Sequence, residues 1–310
     1  LAEELVMTTW RVAAAQYPID ALADWDAYVA KLTRWVAQAA QGGAALAVFS
    51  EYGAMELASL DPVTMGDLQG SIETVSALLP RVDALHRDLA SRHAIWILAA
   101  SAPRKRADGR FVNTARLFSP QGACACQDKL LMTRFEREEW GIVGGNQLNV
   151  FVTPLGRLAV LICYDSEFPL LARAAVEAGA QVLLVPSCTE TMRGYWRVRL
   201  GSQARAVEGQ CYAVHSPTVG DVAWSPAMDH NRGAAGIYGP PDRHAGAGFA
   251  MPEDGVLAIG VESAAQWVFA DLDLGHVATL RADGGVLNTR DWAEQPGAGP
   301  LPAVTVVDLT

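Results

Sequence analysis

The sequence runs to 310 residues with a formal net charge of −10, 51% hydrophobic residues and 19% charged ones. That length suits one large domain or two ordinary ones, and the apolar content supplies a sizeable core and argues against disorder. The acidic balance, with no basic stripe, speaks against a nucleic-acid partner, and no apolar run reaches the eighteen or so residues that cross a bilayer.

From the start of the chain, Leu1 to Thr9 carry two acidic residues and no basic cluster, unlike a signal peptide. Leu1 to Val6 read as a frayed end or an extension outside the domain. Trp10 to Gln16 reads as a strand. Leu22, Trp25, Val29, Leu32, Val36 and Ala39 recur at helical spacing until Gly42-Gly43 stop the helix. Ala44 to Phe49 is a second buried strand, ending at Ser50-Glu51. A helix is predicted over Ile72 to Arg92, with Pro80 marking a kink or a fresh start. Ile95 to Ala100, Phe111 to Ser119 and Ala123 to Asp128 follow as strands, the last two flanking the turn Pro120-Gln121-Gly122.

Leu158 to Ile162 is a strand ending at Cys163, and Pro169 fits the first turn of a helix that Gly179 stops. Gln181 to Val185 is a strand, Thr191 to Glu208 a helix, and Gln210 to His215 a strand again. Asp221 to Gly248, rich in Gly, Pro and His, reads as a long structured loop. Val256 to Val261 and Trp267 to Ala270 are late strands. Beyond about Gly285 the chain has a Pro/Gly stretch from Pro296 to Pro302 and a last apolar run, Ala303 to Val307, which suit an arm docking on a neighbour. Short apolar runs alternating with amphipathic segments indicate a layered α/β domain.

Five cysteines, an odd number, argue against a secreted disulfide framework and for a reducing cytoplasm. Cys124-x-Cys126 has neither the two-residue gap of a zinc knuckle nor a second pair downstream, and no HExxH occurs, so no metal or cofactor is expected. GxSxG, Walker-type and GxGxxG motifs are missing as well.

Glu51, Lys129 and Cys163 each close a predicted strand or hairpin, where sites assemble in layered α/β proteins. A carboxylate that accepts the thiol proton activates a cysteine, and an ammonium beside it stabilises the thiolate and an oxyanion. On placement alone, a strand-end cysteine is more often core and such a glutamate or lysine more often solvated. Four segments in register change that balance: Ala15-Gln16, Phe49-Ser50-Glu51, Asp128-Lys129-Leu130 and Cys163-Tyr164-Asp165-Ser166-Glu167-Phe168-Pro169. With 78 residues from Glu51 to Lys129 and 34 from Lys129 to Cys163, the chain resembles the nitrilase superfamily of carbon–nitrogen hydrolases, its amidase- or carbamoylase-like branch. The likeness runs from about Trp10 to Val261.

This resemblance implies an α-β-β-α sandwich, pairing into a four-layer αββα-αββα dimer, with the hydrolase domain over 8–285 and a tail over 286–310 that could dock on a partner subunit. It implies Cys163 as nucleophile, Glu51 as general base, Lys129 as oxyanion stabiliser with the Tyr164 N–H, and Glu136 as an auxiliary carboxylate. Alternatively, Glu136, Glu138 and Glu139 form one solvated face. Trp140, Trp196 and Trp224 could line a pocket or belong to core or interface. Two departures from the family pattern, Ser50 in place of Pro and Gly209-Gln210 in place of Asn, bear on substrate preference. The expected activity is hydrolysis of a small amide. A nitrilase acting on C≡N groups and a non-catalytic protein keeping the fold are the alternatives.

Overall fold

The computed structural model describes residues 7–295 together with Thr305 and Val307; Leu1 to Val6, and all of the Ala303 to Val307 run except those two residues, lie outside the described residues. Strand β1 (Thr9–Pro18) shows the period-two logic that builds the molecule. Its Trp10, Val12 and Ala14 enter one core and its Ala13, Ala15 and Tyr17 another. Helix α1 (Trp25–Gln41) begins after Leu22 because Asp24 caps it, accepting the Ala27 N–H at 2.8 Å. Strand β2 (Leu46–Val48) is followed by a 3₁₀ turn over Gly53–Leu60. Helix α2 (Leu68–His93) passes through Pro80, which starts no new helix. A helix-interior proline costs about 3 kcal/mol, which the burial of Ile72, Val75, Leu79, Val82 and Leu89 offsets at about 1.5–3 kcal/mol each.

Strands β3 (Trp96–Lys105), β4 (Phe111–Phe118) and β5 (Cys124–Asp128) run antiparallel in succession. Then come three short elements that no periodicity announced, α3 (Arg134–Glu138), β6 (Ile142–Val143) and β7 (Val150–Thr153), the last forming a hairpin with β8 (Gly156–Val160). A 3₁₀ turn over Cys163–Glu167 leads to α4 (Pro169–Glu177), β9 (Val182–Ser187), α5 (Met192–Gly209) and β10 (Tyr212–Asp221).

The stretch expected as loop from Asp221 to Gly248 holds strands instead: β11 (His230–Asn231), β12 (Gly236–Tyr238) and β13 (Arg243–His244). Three residues are too few to show alternation, and β12 exists because β10 and β15 (Val256–Ile259) pair with it on both sides. Its Gly236 is obligatory, since a Cβ there would lie 1.9 Å from the Tyr238 hydroxyl. Strand β14 (Phe249–Ala250) pairs with β13, and β16 (Gln266–Asp273) pairs with β1 from Gln16↔Gln266 to Thr9↔Asp273. Helix α6 (Leu274–Asp283) and the short α7 (Asn288–Asp291) follow.

The strands form two half-sheets, β5-β4-β3-β2-β1 and β10-β9-β8-β7, joined where β1 and β10 pair at Tyr17↔Thr218 and Pro18↔Val219. Between them lies the core of Val12, Leu46, Val48, Leu98, Leu158, Val160 and Leu184; α1 and α2 cover the first half-sheet, α4 and α5 the second. The result is the expected α-β-β-α sandwich. Residues 286–295 lie on their own chain: Gln210 Nε2 donates to Val286 O at 3.0 Å, Thr289 Oγ1 donates to Gln210 Oε1 at 3.0 Å, and the Arg173 guanidinium sits 4.4 Å from the Trp292 ring centre. Among the described residues no helix is long and apolar enough to cross a membrane.

Candidate active site

Strands β2 and β8 are both in the parallel part of the structure, so Glu51 and Cys163 leave the same end of it. After β2 the chain turns sharply, with Tyr52 in the left-handed region at φ 53°. Thr218 Oγ1 donates to Glu51 O at 2.5 Å and so ties this turn to β10. Lys129 follows β5 directly. Its ammonium donates to Glu51 Oε1 at 2.7 Å and to Glu136 Oε2 at 2.6 Å, with all three side chains buried.

Cys163 is 4% exposed and sits at φ 50°, a conformation that strains a non-glycine residue by about 1–3 kcal/mol. Neighbours hold it there. Ser166 Oγ donates to Cys163 O at 2.6 Å, and the Asp165 carboxylate accepts N–H bonds from Ile162, Leu130 and Leu131 at 2.8–3.2 Å. Asp165 thereby clasps the cysteine turn to the lysine loop. The Cys163 thiol donates to Cys188 O at 3.7 Å.

Glu136 is the buried member of its acidic run, while Glu138 and Glu139 are exposed, which excludes a single solvated face. It closes a capping box with Thr133, whose N–H and hydroxyl both donate to Glu136 Oε2 at 2.9 Å, and Tyr52 OH donates to Oε1 at 2.8 Å. Three partners escaped sequence reading: Tyr52, Thr133, and Asn113, whose Nδ2 donates to Glu51 Oε1 at 2.9 Å. The signal for Asn113 was a polar side chain in an otherwise buried strand, since such a group must find a partner. Asp165 stood inside the matched motif without a role.

Glu51, Lys129, Glu136 and Cys163 line a cavity of about 700 Å³, together with Tyr164, Glu167, Arg197 and His230. Trp140 lines it too, its ring 4.7 Å from that of Tyr52. Trp196 is instead exposed on α5, and Trp224 is half-buried against the core that includes residues of α1 and α2.

Burial pushes Glu51 up to about 7; Lys129 opposes that shift and Glu136 adds to it. Burial also pulls on the Lys129 ammonium, but Glu136 and Glu51 outweigh it and keep its pKa well above the ordinary lysine value. Glu136 is itself drawn below the usual carboxylate range: burial works against this, and the charge and hydrogen bond of Lys129 prevail. Burial and the nearby Glu51 charge raise the Cys163 thiol well above its ordinary value. The arrangement is therefore a neutral thiol beside a carboxylate poised near neutrality, with a fixed positive charge between two carboxylates. Among the described residues no group of His, Cys, Asp and Glu is disposed to hold a metal ion.

Residues 11–265 match the family model for carbon-nitrogen hydrolases. The chain belongs to the carbon-nitrogen hydrolase family. This family member, within the nitrilase superfamily, is 33% identical to the probable hydrolase YhcX of Bacillus subtilis across 91% of its own length and 53% of that protein. It thus spans about half the length of that curated relative. Its fold is shared with the NitFhit protein of C. elegans, at TM-score 0.72 and 23% identity over 89% of this chain and 64% of that one. It is shared also with the amidase of Nesterenkonia sp. AN1, at TM-score 0.64 and 22% identity over 88% and 97%. In a mutant of that amidase, acrylamide adds covalently to the active-site cysteine.

Proposed function

We propose that this chain hydrolyses the carbon–nitrogen bond of a small amide through a thioester on Cys163. The observation that carries this reading is the buried Lys129 ammonium, bonded to Glu51 and Glu136 on the wall that Cys163 shares. A resting thiol that is protonated needs a base, and Glu51 is the carboxylate whose charge acts on it. Glu51 takes the thiol proton as the sulfur attacks the amide carbon, and Lys129 with the Tyr164 N–H bears the oxyanion. Glu51 then delivers the proton to the nitrogen, which leaves as ammonia or an amine. Water, deprotonated by Glu51, splits the thioester into the acid and free Cys163. Glu136 keeps Lys129 charged and in place throughout. The alkylated cysteine of the Nesterenkonia amidase supports a nucleophilic role for Cys163.

The cavity walls also bear on the substrate. Glu190 and Asp229 line the cavity, whereas Arg134 is turned to Glu138 at 2.8 Å, Arg197 and Glu167 offset one another at 3.5 Å and His230 is turned to Asp221 at 2.8 Å. With its cations so engaged, the cavity favours amides whose remainder is neutral or cationic over those bearing a carboxylate.

Intact-protein mass spectrometry during turnover of an amide panel tests the mechanism. The expected result is an acyl adduct on Cys163 that vanishes in Cys163→Ala, along with ammonia or amine release. Turnover by Cys163→Ala, or alkylation that protects Cys188 but not Cys163, would overturn it. Matched nitriles in the same panel distinguish a thioimidate route.

A further inference from the structure

The thiol pair Cys124 and Cys126 lies apart from the cavity, and the hydrolytic reading makes no use of it. Both residues are exposed, and at i and i+2 they share one face of β5, the last strand of its half-sheet, which bonds to β4 alone in the strand order. Across the ladder, Arg116 stands directly opposite Cys126 and Phe118 opposite Cys124. Helix α2 brings Asp83 and Arg87 over the same face: Arg116 Nε donates to Asp83 at 2.7 Å, and the Arg87 guanidinium lies 5.6 Å from the Phe118 ring centre. From β3, Arg104 reaches Asp128 on the same strand face at 3.0 Å. Three arginines against two aspartates leave one net positive charge beside the thiols, with Arg116 buried and paired to Asp83 and Arg104 paired to Asp128, in a chain whose net charge is −10. Such a setting favours a thiolate.

We propose that Cys126 and Cys124 form a reactive dithiol, a modification site for low-molecular-weight disulfides. The Cys126 thiolate attacks one sulfur of the disulfide, forming a mixed disulfide and expelling one thiolate. Cys124 then gives its proton to solvent and attacks the Cys126 sulfur, closing Cys124–Cys126 and releasing the second thiol. Two electrons leave the pair, and one disulfide becomes two thiols. The thiols differ in the sense this order requires. The adjacent Cys124 thiol, against the pull of burial and with help from Arg116 and Arg104, lowers Cys126 to about 7, while Cys126 and burial raise Cys124. The other three cysteines are unsuited. Burial raises Cys163 and Cys188 well above the ordinary thiol value and Cys211 to about 12.

Same-face residues of a strand are about 6.7 Å apart, close to the upper limit of about 6.8 Å between the Cα atoms of a disulfide. Closing the bond therefore has to draw Cys124 out of register. Cys124 is the first residue of β5, next to the turn at Gly122, where leaving the ladder costs least. A bond made under that strain is readily reversed by thiols.

The test exposes the full-length protein at pH 7 to oxidised glutathione and follows it by intact mass and peptide mapping. Wild type should end as an internal Cys124–Cys126 disulfide with no retained glutathione. Cys124→Ser should stall with glutathione on Cys126, and Cys126→Ser should leave Cys124 slow to react. Lower thiolate pKa, discounted for weaker nucleophilicity, makes Cys126 about fivefold faster than an ordinary thiol. Unchanged amide hydrolysis by both serine variants checks that they are folded. A wild type that retains glutathione on Cys126, or a Cys126 that reacts no faster than a peptide cysteine, would overturn the dithiol and leave the hydrolytic reading untouched.

Discussion

At the scale of single residues, the shared ammonium of Lys129 makes the carboxylates Glu51 and Glu136 interdependent. Glu51 must be ionised to accept the thiol proton, and its pKa is about 7. We therefore expect kcat/KM to fall as pH drops through about 7, the loss lying on the acid side because the protonated form is inactive. Glu136 contributes negative charge that pushes Glu51 up, so Glu136→Gln should move this acid limb to lower pH while lowering activity only mildly. A profile that stays in place would remove Glu51 as the base. Glu51→Gln should slow acylation by about 10²–10⁴-fold and Lys129→Met by about 10²–10³-fold, both read in single-turnover assays. The charged groups were legible in the sequence because four motif segments stand in register; placement at strand ends alone leaves each of them ambiguous. Tyr52, Thr133 and Asn113 were not, because each is defined only by which buried oxygen it reaches across the folded chain.

Among elements, strands that form short, largely apolar runs were legible to within a few residues, as in β1, β4 and β8. What escaped was short or borrowed: β6 and β12 owe their existence to strands elsewhere in the chain, α3 is marked only by its own capping box and β7 by its hairpin with β8, and α6 follows β16 without an apolar stripe clear enough to mark it. One contact between elements bears directly on the site. Helix α5 passes under the 3₁₀ turn that carries Cys163, and a Cβ on Gly201 would stand 3.0 Å from Ser166 O. Ala is the better helix former by about 1 kcal/mol, yet it would press on the backbone that sets the cysteine φ. Gly201→Ala should thus leave the melting temperature nearly unchanged while lowering kcat several-fold. Equal kcat in the variant would show that the turn yields without moving the thiol.

For the molecule as a whole, the outer surface of α4 and α5 is more apolar than a free surface needs to be. Leu170 is 68% exposed, Leu200 58% and Trp196 46%. A second copy is expected to cover this face in an isologous contact, in which one substitution acts twice. Light scattering at micromolar concentration should report about twice the 33.1 kDa chain mass or more, and Leu200→Arg should shift the protein toward single chains. A monomer with full activity would refute the pairing. The two half-sheets carry a different consequence. Glu51 and Lys129 leave the first and Cys163 the second, and the main-chain seam between them, β1 to β10, has just two residue pairs in register. Catalytic alignment therefore depends on this short ladder, on the Ser216 and Thr218 side-chain bonds that cross it, and on the core the two half-sheets share. On warming, a shear between the half-sheets, which loosens the core they share, would part base from nucleophile before the strands themselves unfold. Inactivation should precede the loss of far-ultraviolet ellipticity by several degrees and reverse on cooling, with Asp165→Asn, which loosens the clasp across the seam, widening the gap.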